Sequence, residues 1–173
     1  MINLKDFFIN KDALEKVNNE EVLMQYLEEG KPLQELFGFS NEATAEFYGA
    51  AKRILEQKRF EDAMSAFVFL TTINPYISDF WLGLGMAQQK NQEHEAALSS
   101  YRTAFTLEGR SILPYMLAAH CCLEIKDFDR AKEVLECAED YADEHAEEKE
   151  CRQLREDLVA AKHYINGQKK KMS

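Results

Sequence analysis

The sequence predicts an all-α chain: a right-handed α-solenoid of three stacked helix pairs, set between an N-terminal helical segment and a C-terminal capping helix. Three observations carry this reading. Small and apolar residues recur at a constant step of 34 positions. Within each step the apolar positions follow the helical spacing of three and four rather than alternation. Only 7 glycines and 3 prolines occur in 173 residues, too few for the many tight turns of a sandwich or barrel.

Five columns define the step. Phe47, Trp81 and Tyr115 form one, and Ala51, Gly85 and Ala119 a second. Ala63, Ala97 and Ala131 form the third, Phe67, Tyr101 and Leu135 the fourth, and Leu70, Ala104 and Ala138 the fifth. The residue types fit a pair of antiparallel helices. An aromatic side chain fills the gap between them, a small residue one turn later lets the backbones approach, and the alanine column opens the buried face of the second helix. First helices are expected over 44–57, 78–91 and 112–125, and second helices over 60–73, 94–107 and 128–141. Gln57-Lys58-Arg59 and Lys126-Asp127 make the turns. Pro75 closes the first unit, Gly109 holds the equivalent place in the second, and Pro114 falls in a first helical turn where proline is tolerated. One helix pair cannot cover its own apolar stripe, so successive pairs must stack.

The flanks complete the domain plan. Residues 1–40 read as an N-terminal helical and dimerisation segment, 41–143 as the three repeats, 144–166 as the capping helix and 167–173 as a basic tail. Leu14, Val17, Leu23, Tyr26 and Leu27 predict a helix ending at Gly30, after which Pro32 starts a short turn carrying Leu33, Leu36 and Phe37. Cys151, Leu154, Leu158, Ala161 and Ile165 keep helical spacing up to Gly167, and Lys169, Lys170 and Lys171 follow as a disordered tail. Leu4, Phe7 and Phe8 stand ahead of the repeats at helical spacing; they either fold back on the domain or, as the preferred expectation for terminal aromatics, meet a second copy in a homodimer.

Composition removes several function classes. With 31 acidic and 21 basic residues the net charge is −10, which repels phosphate backbones and anionic lipid; no nucleic acid and no direct membrane binding are expected. The longest aliphatic and aromatic run, 66–70, falls far short of the roughly 20 residues that span a bilayer. Lys5 and Asp6 interrupt the N-terminal apolar residues and no small-residue cleavage site follows, so no secretory signal is read. Cys121, Cys122, Cys137 and Cys151 include no CxxC pair and are expected as free thiols in a reducing cytosol.

Catalytic and metal chemistry finds little support. Gly83-x-Gly85 follows no strand, and the repeat places it inside a helix, where its glycines serve packing. His120, Cys121 and Cys122 are consecutive in a helix and point about 100° apart, so they cannot converge on one ion. Glu42, Glu46, Glu56, Glu61 and Asp62 read as solvated helix faces, and no acid–base pair or nucleophile triad is legible. The expectation is a binding protein with no catalytic residue, no metal and no cofactor.

Trp81-Leu82-Gly83-Leu84-Gly85 matches the tetratricopeptide signature of an aromatic residue, two further residues, leucine and glycine. Three stretches go further and resemble the class II chaperones of bacterial type III secretion, which serve translocator proteins. These are Tyr26-Leu27-Glu28-Glu29-Gly30 with Leu33 and Leu36; Lys58-Arg59-Phe60-Glu61-Asp62-Ala63; and Asp79-Phe80 leading into the signature, with Gln88 and Gln89 after it. The resemblance covers about residues 26–141. It implies three repeats, a cytoplasmic bacterial location, action without ATP and dimerisation through the N-terminal region. It also implies a concave groove that receives an extended client segment.

In such repeats the first helices line the concave side, which gives a candidate groove set. The first unit offers Ala45, Tyr48, Lys52 and Leu55, the second Asp79, Leu82, Met86 and Gln89, and the third Leu113, Met116, His120 and Leu123. The set is mostly apolar, and the alternative for Leu82, Leu113 and Leu123 is that they pack against neighbouring helices. Met86 and Met116 can adapt to varied side chains, and Lys52, Gln89 and His120 can bond a peptide backbone. Adaptors that grip a C-terminal carboxylate resemble one another in a lysine and an asparagine in the first unit; Tyr48 and Lys52 here argue against recognition of a heat-shock protein tail. The expected function is a secretion chaperone that keeps hydrophobic, extended segments of secreted translocator proteins soluble and secretion-competent. The alternative is a generic tetratricopeptide adaptor or scaffold in another bacterial assembly.

Overall fold

The computed structural model describes residues 9, 11–108, 111–144, 162 and 167. Nine helices run through them: α1 (Lys11–Val17), α2 (Glu20–Glu28), α3 (Leu33–Phe37), α4 (Asn41–Glu56), α5 (Phe60–Ile73), α6 (Ser78–Lys90), α7 (His94–Glu108), α8 (Leu113–Glu124) and α9 (Phe128–Glu144). The last six form three antiparallel hairpins, α4/α5, α6/α7 and α8/α9, each packed on the next. The first helices also touch along the series, α4 with α6 and α6 with α8, which marks them as the inner wall of the solenoid.

The repeat is visible in the backbone as well as in the side chains. Each hairpin turns through one left-handed residue, Lys58 (φ 62°), Gln92 (φ 68°) or Lys126 (φ 59°), all 34 positions apart. The hydrogen bonds repeat too. The N–H groups of Lys58, Gln92 and Lys126 bond the carbonyls of Leu55, Gln89 and Leu123, while those of Arg59, Glu93 and Asp127 reach Ile54, Gln88 and Cys122. This double bond pattern satisfies the carbonyls that the last helical turn leaves open.

Four of the five columns are the core. Ala63, Ala97, Ala131, Phe67, Tyr101, Leu135, Leu70, Ala104 and Ala138 are all essentially inaccessible, and Ala51 and Ala119 join them. Gly85 is needed for close approach, since a Cβ there would lie 2.6 Å from the Tyr101 ring. The aromatic column behaves differently and is half-buried at the seams. Phe47 packs edge-on against Phe39 and Phe69, Trp81 donates its Nε1 proton to the Pro75 carbonyl at 2.8 Å, and Tyr115 stacks on Phe105 of the preceding hairpin at 4.2 Å.

The N-terminal region differs from the single helix expected from its apolar spacing. It breaks at Asn18 and Asn19 into α1 and α2, because the extended Asn19 caps α2 by accepting from the N–H groups of Glu21 and Val22 at 3.1 and 3.3 Å. The first repeat helix starts at Asn41 rather than Thr44, since Ser40 Oγ accepts from Ala43 N–H at 3.1 Å. Two contacts fasten this region to the first hairpin. Asn74 donates to the buried Gln34 at 2.8 Å, and Tyr76 Oη donates to the Gly30 carbonyl at 2.5 Å. Leu4, Phe7 and Phe8, and the capping helix and basic tail apart from Lys162 and Gly167, lie outside the described residues. Lys162 is helical and its ammonium pairs with Glu139 of α9.

Candidate functional site

On the inner wall, where α4 meets α6, lies a cleft of about 290 Å³ lined by Tyr48, Lys52, Leu55, Glu56, Phe67, Leu82, Gly83 and Met86. Helical spacing explains its makeup: Tyr48, Lys52 and Leu55 share one face of α4, and Leu82 and Met86 one face of α6. Gly83 leaves the Phe67 ring, itself fully buried, as part of the floor. Tyr48 packs against Phe80 at 5.5 Å and edge-on to Phe67 at 6.2 Å, while the Lys52 ammonium sits 5.3 Å from its ring centre. Burial, and then the charge and hydrogen bond of Asp79, hold the Tyr48 hydroxyl above its ordinary pKa. Tyr48 therefore stays protonated and joins α4 to α6 through Asp79. The cleft combines an apolar floor, a flexible methionine at its edge and a rim of opposite charges from Lys52, Glu56 and Asp79. Such a surface suits an apolar side chain carried on an extended backbone.

The twelve groove positions read from the sequence divide into groups. Tyr48, Lys52, Leu55, Leu82 and Met86 come together in the cleft, and Asp79 adjoins it through Tyr48. Ala45 and Leu113 are exposed but outside its lining. Met116 and Leu123 lie outside that lining as well; half-buried, they pack onto the core cluster that includes α9, as Tyr48 and Leu55 pack onto the one below them. Gln89 is only 5% exposed and is hydrogen-bonded to Tyr101, His120 and Glu124, with both amide protons engaged. His120 is exposed on the same network. Glu56, Phe67 and Gly83 were missed. Phe67 sat in a core column, Gly83 read as packing alone, and Glu56 read as solvated although it follows Leu55 on the same turn.

A second recess of about 380 Å³ is lined by α7, α8 and α9, with Leu98, Phe105, Tyr115 and Val134 inside it. The Arg130–Glu95 ion pair, at 2.8 Å, links α9 to α7 at its edge. It is larger than the inner cleft, yet none of the twelve positions lines it. Among the described residues no group of three or more His, Cys, Asp or Glu side chains is placed to hold a metal ion, and no helix is long and apolar enough to cross a membrane. Cys121 and Cys122 are fully buried free thiols, pushed by burial up to about 11.

Comparison with known proteins agrees with this fold. Residues 78–110 match the tetratricopeptide repeat family. The chaperone protein SicA of Salmonella typhimurium is 23% identical over 126 residues, 73% of this chain and 76% of its own length. A type III secretion complex from Aeromonas hydrophila superposes with a TM-score of 0.77 at 20% identity, covering 87% of this chain and 99% of that one. The Yersinia enterocolitica type III secretion chaperone SycD, solved with a peptide of the translocator YopD, gives 0.66 at 24% identity, covering 75% and 97%. The solved structures show the shared fold, and the matched repeat and the aligned chaperone show what this chain is similar to: tetratricopeptide-repeat chaperones of type III secretion.

Proposed function

We propose that the chain is a cytoplasmic chaperone that holds extended, apolar segments of type III secretion translocators along its inner wall, without ATP and without chemical turnover. The observation that carries this reading is the cleft between α4 and α6, apolar at its floor and open to a foreign side chain. Its volume suits one or two large aliphatic side chains, and Met86 at its edge adapts to their shape. Lys52 and Asp79 flank it and can engage the passing backbone. The mechanism is competition: a segment held here cannot aggregate, pair with other translocators or enter a membrane early. Export machinery then supplies the work of removal. The net charge of −10 favours a sticky or basic protein client over nucleic acid or membrane. The same reading includes a homodimer made through the N-terminal segment with Leu4, Phe7 and Phe8.

The test is the double variant Tyr48→Glu with Met86→Glu, co-expressed with the neighbouring reading frames and read by co-purification of a translocator. Two carboxylates in the cleft cannot be buried beneath an apolar side chain without partners. Helical circular dichroism is expected to persist while co-purification of the translocator is lost. Undiminished co-purification removes the cleft from the account.

A further inference from the structure

The middle hairpin departs from its neighbours at two linked positions. The column that holds Leu55 and Leu123 carries Gln89 between them, and the column of Phe67 and Leu135 carries Tyr101. In the outer hairpins both members are apolar and share one core, Leu55 with Phe67 and Leu123 with Leu135. In the middle hairpin they are joined by a hydrogen bond. Tyr101 Oη donates to Gln89 Oε1 at 2.7 Å, with both residues buried.

The rest of the amide is committed to the next hairpin. Gln89 Nε2 donates one proton to Glu124 Oε2 at 2.7 Å and meets His120 Nδ1 at 3.0 Å. A glutamine nitrogen only donates, so Nδ1 accepts and the imidazole carries its proton on Nε2. Glu124 lies a further 3.5 Å from His120 Nδ1 and 3.8 Å from His94 Nδ1. One buried amide thus ties α6, α7 and α8 together and ends on two side chains that reach solvent. His120 is 61% exposed and Glu124 36%. By the repeat step His120 takes the place of Lys52 and Met86, both of which line the cleft.

An apolar pair serves the neighbouring hairpins, and burying polar groups instead costs desolvation. What a fully bonded network adds is one defined geometry. We propose that Gln89 is a positioning residue of the groove. It sets the second hairpin against the third and holds the His120 imidazole and Glu124 carboxylate at the far end of the inner wall. There Nε2–H of His120 and the carboxylate of Glu124 bond the main-chain carbonyl and amide groups of an extended client. This inference rests on the groove reading above.

The experiment restores the neighbours' pattern with Gln89→Leu plus Tyr101→Phe and measures binding of overlapping fluorescent peptides that tile YopD. The fold should tolerate the change, with a melting temperature equal to or above that of the parent chain. Affinity should fall on the order of tenfold, the worth of one or two good hydrogen bonds. Adding His120→Ala and Glu124→Ala to that variant should cost nothing more, since the network acts through those two residues. Unchanged affinity, or losses that add, overturns the proposal while Tyr48→Glu with Met86→Glu still abolishes binding. If the parent chain binds no peptide, or the cleft variant binds as well as the parent, the groove reading itself fails and takes this inference with it. Should the Leu/Phe variant lose its helical signal, His120→Ala alone decides: weaker binding at an unchanged melting temperature supports the proposal, and full binding refutes it.

Discussion

Consider Gly83→Ala. A Cβ built at Gly83 falls 2.2, 2.4 and 2.7 Å from three atoms of the Phe67 ring, which is itself wholly enclosed. The ring cannot tilt freely, because Tyr48 packs on it and the buried core cluster encloses it. Forcing a methyl group into so tight a core costs about 3 kcal/mol, the upper part of the usual range for overpacking. Replacing glycine by alanine inside a helix returns about 1 kcal/mol. The net destabilisation is therefore about 2 kcal/mol, or about 4–8 °C in melting temperature for a chain of this length. Gly49→Ala is the matched control. Its Cβ would meet only the end of the Arg53 side chain at 3.5 Å, so it should stabilise by about 0.5–1 kcal/mol. Urea unfolding followed by circular dichroism measures both. If Gly83→Ala unfolds at the same or a higher urea concentration than the parent, the close seating of α6 on Phe67 is wrong, and the shape of the cleft floor with it.

Other predictions follow from single contacts. Ser40→Ala removes the acceptor for the Ala43 N–H and should cost about 1 kcal/mol in the same unfolding assay. Alkylation read by mass spectrometry should label exposed Cys137 in the native chain, and Cys121 and Cys122 only after denaturant is added. Burial raises both inner thiols from 9.0 to about 11. Their contribution to stability is thus fully present below the unfolded value and lost as pH rises through the folded one. The urea midpoint of the parent should therefore drop more between about pH 8 and about pH 10 than that of Cys122→Ala. Equal drops would show that this thiol is not the source.

Side-chain size at a constant step was enough to read the three hairpins. Ala63, Ala97 and Ala131 recur because each second helix must sit flush on its partner, and the structure buries all three. The turns were legible as polar breaks, although nothing in Lys58, Gln92 or Lys126 announces a left-handed residue; the helix-ending bonds impose it. The break at Asn19 was hidden because apolar spacing runs through it, and only the side-chain cap reveals where one helix stops. The site was legible in part for the same reason. Spacing from the signature aromatic located Tyr48, Lys52, Leu82 and Met86, but spacing does not tell which apolar face the neighbouring hairpin will claim. Met116 and Leu123 pack onto the core cluster of the third hairpin and lie outside the cleft lining. The hydrogen bonds of Gln89 were not legible, because a periodic pattern records where a side chain points and not what it bonds. The polar character of Gln89 in a leucine column was the available signal.

The account stands on the inner wall being where the client lies. Photo-crosslinking during co-expression with a translocator tests this most directly, with benzoylphenylalanine installed at Met86 on the α4/α6 cleft or at Ser99 on the recess between α7, α8 and α9. The account predicts a covalent chaperone–translocator product from Met86 and none from Ser99. A product from Ser99 alone would contradict it.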